Sequence, residues 1–197
     1  MGLFNRFKKK TPSISDKAFS QQAESDTACI LIMDRVMEDA SQAATIVKQV
    51  FGSDAVGEID QSHSPLTHII VKLEETEFWC SYMPFPVPPE EMNLPDTPQY
   101  SMFNPEEYQA ICNSKSFWLI VQKGGGQSLA CKRQVCRLLT SLVGALLEAE
   151  GSLGVYVNAA ELLISRRVYL QNADILKKNA EDPNYFPAPL WIAIRQG

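Results

Sequence analysis

Nowhere in these 197 residues is there an uninterrupted apolar run approaching the ~18 that a membrane-spanning helix needs. Residues Met1 to Lys10 also lack the apolar core and small-residue cleavage site of a secretory leader, so the chain is expected in the cytoplasm. Histidine is scarce: His63 and His68 are the only two, leaving few candidates for a general base or a zinc ligand. With 10 glycines and 12 prolines the chain is neither collagen-like nor of low complexity, and 45% hydrophobic content suffices for one folded core. The cysteines, Cys29, Cys80, Cys112, Cys131 and Cys136, are odd in number and follow no paired spacing. Such a set reads as reduced thiols packed for their bulk, not as a disulfide framework.

What is present begins with charge. The net charge is −5, but Arg6, Lys8, Lys9, Lys10 and Lys17 against Asp16 give residues 1–17 a charge of +4, so residues 18–197 carry −9. An acidic body repels phosphate backbones and attracts basic surfaces, so a basic protein partner is expected and nucleic acid is not. Leu3, Phe4 and Phe7 followed by three lysines form a short amphipathic foot within residues 1–10. It offers peripheral membrane contact with little area to bury, and Arg6 breaks the myristoylation pattern.

Residues 1–27 read as a basic segment leading into one domain, 28–197, because their Ser, Gln, Thr and charge show no apolar period. Cys29 to Met33 is a continuous apolar run, the mark of a strand buried on both faces. Asp39 with Gln42 resembles a capping box, and Ala40, Ala43, Ala44, Val47, Val50 and Phe51 recur at helical spacing until Gly52. Strands are expected over 55–60 and 67–73, the second with Ile69, Val71 and Leu73 on one face. Glu74-Glu75-Thr76 turns the chain into Glu77 to Met83, a hairpin partner that alternates Phe78, Cys80 and Tyr82 against Trp79, Ser81 and Met83. From Pro84 to Pro98 the prolines prevent a regular ladder.

Asn104-Pro105-Glu106-Glu107 is a strong helix start, with a capping side chain, a proline that loses no bond and carboxylates that suit the helix dipole. Ser116 to Gln122 is another buried strand. A long helix follows, striped by Val135, Leu138, Leu139, Leu142, Val143, Leu146 and Leu147 and closed by Gly151. Leu153 to Val157 reads as a strand, Asn158 with Glu161 as a short helix, 166–178 as a helix and 190–194 as a last strand. The expected fold is α+β, a mainly antiparallel sheet with two principal helices on one face. Residues 28–60 and 116–157 share the order strand, helix, strand, which suggests two ferredoxin-like halves.

No motif carries a complete chemistry. Gly126-Gln127-Ser128-Leu129-Ala130 sits where a hydrolase nucleophile elbow would, but Ala130 spoils the pattern and both histidines precede Ser128. Gly124, Gly125 and Gly126 before Ser128 at a helix start offer an anion or nucleotide cradle, without the Lys-Ser/Thr pair of a phosphate-gripping loop. Cys131 and Cys136, five apart on a helix, point to different faces, so with the histidines they make no metal set. Adjacent carboxylates such as Glu74 with Glu75 likewise face apart and cannot share a proton transfer. No cofactor or metal is expected. The aromatic, proline-rich and acidic stretch holding Trp79, Tyr82, Phe85, Glu90 and Glu91 has the composition of a recognition surface.

One combination is familiar. Trp79 through Pro88, Phe117 through Val121, Gly154-Val155-Tyr156-Val157-Asn158 and Pro189-Leu190-Trp191-Ile192, in that order, resemble the bacterial domain-of-unknown-function family 4261 across about residues 28–195. These landmarks are hydrophobic, Ser116-Phe117 stands where the family has a polar Ala-His pair, and the resemblance brings no catalytic residues. The expectation is therefore a non-enzymatic interaction module, an immunity or accessory protein that binds a basic toxin or effector. The alternative is a small-molecule or nucleotide-binding protein, or an enzyme, built on the Gly124 to Gly126 loop.

Overall fold

The computed structural model describes residues 28–60, 66–88, 92, 103–123 and 128–191. Seven strands form one sheet: β1 (Ala28–Met33), β2 (Val56–Asp60), β3 (Thr67–Leu73), β4 (Thr76–Met83), β5 (Ser116–Lys123), β6 (Ser152–Val157) and β7 (Leu162–Ser165). Their spatial order is β2-β3-β4-β5-β1-β6-β7, and every pairing is antiparallel. The helices are α1 (Gln42–Phe51), α2 (Pro105–Cys112), α3 (Leu129–Leu147), α4 (Arg166–Lys178) and the short α5 (Ala188–Trp191). The fold is α+β.

Because strands alternate in direction, β5 and β6 run the same way on either side of β1, and α3 is the crossover between them. The unit β1-α1-β2 instead leaves three strands between its ends, so the two strand–helix–strand units are not equivalent halves of the sheet.

One face of the sheet carries Leu31, Val71, Phe78, Tyr82, Ile120 and Val157 against α1, α3 and α4, with α5 closing one end. Three principal helices cover this face, one more than the sequence pattern indicates, because α4 contributes only Tyr169 and Leu176 as fully buried side chains and its apolar stripe is thin. The opposite face carries Ile30, Ile32, Phe117, Leu119, Tyr156 and Leu163, covered by Ile111 of α2 and by Val87 and Met92. β1 and β5, at the centre, are buried on both faces, which explains their unbroken apolar sequences.

Local chemistry sets the element ends. Asn104 accepts from the Glu107 N–H at 2.8 Å while the Glu107 carboxylate accepts from the Asn104 N–H at 3.0 Å, a complete capping box for α2. Ser128 and Ser165 cap α3 and α4, accepting from the Cys131 and Val168 N–H groups at 3.2 and 3.3 Å. At α1 the expected Asp39–Gln42 box is replaced: the Asp39 carboxylate accepts from the Ser41 N–H at 2.8 Å, and the helix begins at Gln42. Ala55 closes a 3-10 turn, so β2 starts at Val56.

Two expectations at the C-terminal end are corrected. Asn158–Ala160 is a single 3-10 turn; Glu161, at φ 51°, reverses the chain into β7, a four-residue strand too short and too uniformly apolar to show a period. Leu190 and Trp191 lie in α5, not in a strand, and residues 192–194 lie outside the described residues. Pro187 at the entry suits a helix start, and the Trp191 indole N–H donates to Thr140 Oγ1 at 2.9 Å.

Two buried hydroxyls, those of Ser152 and Tyr169, have no hydrogen-bond partner among the described residues. Tyr169 is fully buried; burial pushes its pKa up, and the nearby Thr140 side chain offsets this only in part. An unpartnered buried hydroxyl has lost its water without compensation. Tyr169→Phe is therefore expected to leave the denaturation midpoint unchanged or raise it, and a loss above about 1 kcal/mol would show that the hydroxyl is satisfied after all.

Candidate functional site

β4 separates the residues that the sequence grouped as one recognition surface. Phe78, Cys80 and Tyr82 face the helices, whereas Trp79, Ser81 and Met83 face the other side. Tyr82 is buried, packs against Trp118 with ring centroids 5.1 Å apart and accepts the Met37 N–H at 2.7 Å. It is a core pillar, and no partner can reach it. Phe85 is 46% exposed and lies edge-on to Phe117, centroids 5.7 Å apart. Glu90 and Glu91 lie outside the described residues.

Trp79 belongs to a row that crosses five strands, Ala28, Val121, Trp79, Ile70 and Glu58. Lys123 Nζ stands 4.4 Å from the Trp79 ring centre, and the indole N–H donates to Glu77 at 2.8 Å. That donation, helped by Lys123 at 3.4 Å, holds the Glu77 carboxyl below its ordinary range against slight burial. His68, Ile70 and Trp79 are half-buried, while Glu58 and Lys72 are exposed, so the β2–β4 part of this face is less covered than its centre.

The sign of the Glu77 effect is testable. A depressed folded-state value stabilises the fold above the reference value of 4.5, and this contribution disappears as pH falls through the folded-state value. Glu77→Gln is therefore expected to flatten the acid side of the stability-against-pH curve below about pH 4.5. An unchanged slope would show that the indole contact is electrostatically idle.

Register also assembles a set that spacing conceals. Asp60, His68 and Ser81 are cross-strand neighbours on β2, β3 and β4, and His68 Nδ1 lies 2.9 Å from Ser81 Oγ. These are residue types of a hydrolytic triad, but Ser81 is only 3% exposed and sits mid-strand between β3 and β5. Its backbone neighbours are committed to the ladder, so no N–H pair is free to stabilise an oxyanion there. The contact satisfies a half-buried imidazole.

The remaining sequence candidates disperse. Ser128 is the α3 cap, and Gly124 to Gly126 and His63 lie outside the described residues. Among the described residues no three His, Cys, Asp or Glu side chains are grouped to hold a metal, and no helix is long and apolar enough to cross a membrane. Burial pushes the Cys80 thiol up to about 12 and Cys136 to about 11, and raises Cys29 further, whereas Cys112 and Cys131 are exposed. A thiol-disulfide reagent at pH 8 should modify two cysteines rapidly in the native protein and five after unfolding. Rapid modification of four or five native thiols would contradict this packing.

Charge is spread unevenly among the elements. The helices α1, α3 and α4 carry Lys48, Lys132, Arg133, Arg137, Arg166, Arg167, Lys177 and Lys178 against Asp174 alone, eight cations and one carboxylate, or +7. The other described residues hold four cations and sixteen carboxylates, or −12. Of these, the strands and α2 hold Glu58, Asp60, Glu77, Glu106 and Glu107 against Lys72 and Lys123, or −3, and the connecting segments hold the remaining −9, with Glu74 and Glu148 beside the helical groove. The whole-chain figure averages these and hides the basic helices.

Between α1 and α4, a groove of about 560 Å³ runs along α3. Compared with models of protein families, with curated proteins and with solved structures, the chain matches none. The functional reading therefore rests on this geometry.

Proposed function

We propose that this protein is a non-catalytic interaction module, an immunity or accessory factor, whose sheet side holds a basic protein partner. The contrast between the basic helices α1, α3 and α4 and the acidic strands and α2 carries this reading: a basic surface is attracted to the latter and repelled by the former. Trp79 and Phe85, on the same side as those carboxylates, supply aromatic area of the kind that anchors interfaces. The polar Asp60–His68–Ser81 row lends the reading further support because its serine is enclosed.

The test is affinity purification of tagged full-length protein from its own cells, comparing wild type with Phe85→Ala combined with Glu58→Lys. Both side chains are exposed, so the variant should fold normally. A stoichiometric basic protein whose recovery falls at least about tenfold in the variant is expected, since loss of ~1.4 kcal/mol at an interface is tenfold in affinity. Equal recovery would remove this face from the interaction.

A further inference from the structure

We infer that the basic partner docks at β2 by adding a strand of its own to the open edge of the sheet; this rests on the sheet-side reading above and makes it specific. The two edges of the sheet are unlike. β7 is buried along its whole length, packed against α4 and α5. β2 bonds only to β3 among the described strands, and Gly57, Glu58 and Ile59 are exposed. The outward N–H and C=O groups of an edge strand have no ladder partner, and an extended segment is the ligand that satisfies them in a row.

Side-chain chemistry selects the strand. Glu58 and Asp60 pair with Ile70 and His68 and so share the Trp79 side of the sheet, while Ile59, 40% exposed, pairs with Ile69 on the helical side. Directly opposite residues of an added antiparallel strand lie on the same side, so the complement to this edge is cation, apolar residue, cation. A second copy does not supply it: antiparallel pairing of β2 with itself about Glu58, Ile59 or Asp60 sets carboxylate against carboxylate in each register. Residues 53–60 hold Asp54, Glu58 and Asp60 and no cation. Lys72 stands beside them: a Cβ on Gly57 would lie 3.2 Å from its Cε, so its stem crosses that glycine, and it also faces Glu77 on β4. Three carboxylates against this lysine leave −2 at the edge. The ladder shifts register between Val56 and Glu58, so the regular template is Glu58 to Asp60 and the added strand is short.

The experiment follows backbone amide exchange of the full-length protein by NMR while a short peptide alternating lysine and valine is added. Its controls are the same peptide methylated at alternate backbone nitrogens, which keeps the charge but cannot complete a ladder, and a peptide alternating glutamate and valine. Amides within Gly57 to Asp60 that exchange rapidly in the free protein are expected to become protected. Binding should be at least about tenfold weaker for the methylated peptide, and for the lysine peptide on Glu58→Lys, an exposed position that should fold normally. Equal binding of the methylated peptide would overturn strand addition while leaving the sheet side attractive to basic proteins. Equal binding of the glutamate peptide, or no binding of the lysine peptide at about 1 mM, would overturn it too. Protection of the same amides before any peptide is added would show an edge already occupied, by a second copy or by residues 1–17 of the chain, and would overturn it as well. The sheet-side reading fails separately, on the affinity purification.

Discussion

Tyr82→Ala is expected to be among the most damaging single substitutions in the chain, and to act on folding before it acts on any partner. The side chain fills the space between β4 and the helices, touches the Trp118 ring and accepts the Met37 N–H. Emptying an aromatic core site costs about 3–5 kcal/mol, and leaving a partly buried N–H without its acceptor adds about 1 kcal/mol. A domain of this size has only about 5–15 kcal/mol in total. Tyr82→Ala should therefore unfold at a much lower denaturant concentration or accumulate as insoluble protein. Tyr82→Phe separates the two contributions: it keeps the ring and should lose about 1–2 kcal/mol. If Tyr82→Ala retained wild-type stability and lost only partner binding, the tyrosine would be a surface residue and the β4 register described here would be wrong.

The second large effect is at Gly154. This residue pairs with Ile32 on one side and Ser165 on the other, and a Cβ there would stand 2.6 Å from the Ile164 carbonyl oxygen and 3.0 Å from Phe103 Cζ. The missing side chain lets the Phe103 ring rest on the sheet just before α2 and keeps β7 in place. Gly154→Val should cost about 3 kcal/mol or more, because overpacking alone costs about 1–3 and here the obstacle includes backbone. Adding Phe103→Ala should recover only part of the loss, since the carbonyl remains. Full recovery would place the whole conflict at the ring, and no loss at all would contradict the β6–β7 pairing.

The central strands were readable because burial leaves a plain signature. β1 and β5 are continuous apolar runs, β3 alternates, and the Glu74-Glu75 turn joins β3 to β4 with Leu73 opposite Thr76. The Asn104 cap and the α3 stripe were equally plain because side-chain chemistry fixes them locally. β7 and α5 were not, since four residues give no period and their conformations follow from packing against α4 and Thr140.

The site was less legible than the fold for the same reason. Trp79 and Tyr82 look alike in sequence, and only the parity of β4 relative to the helices makes one half-exposed and the other a core residue. The Asp60–His68–Ser81 row depends on the register of three strands. The charge of the basic helices was hidden by summing along the chain; summing over the residues of α1, α3 and α4 would have shown it once their common layer was known.

The most direct test of this uneven charge needs no partner. Relaxation enhancement of the backbone amides by a positively charged and a negatively charged nitroxide, measured on the full-length protein at low salt, maps the surface potential residue by residue. The positive probe should act more strongly on β2, the β3–β4 turn and α2, and the negative probe on α1, the first half of α3 and the end of α4. If both probes gave the same pattern on these two sets of elements, their opposite charge, and with it the proposed choice of partner, would be contradicted.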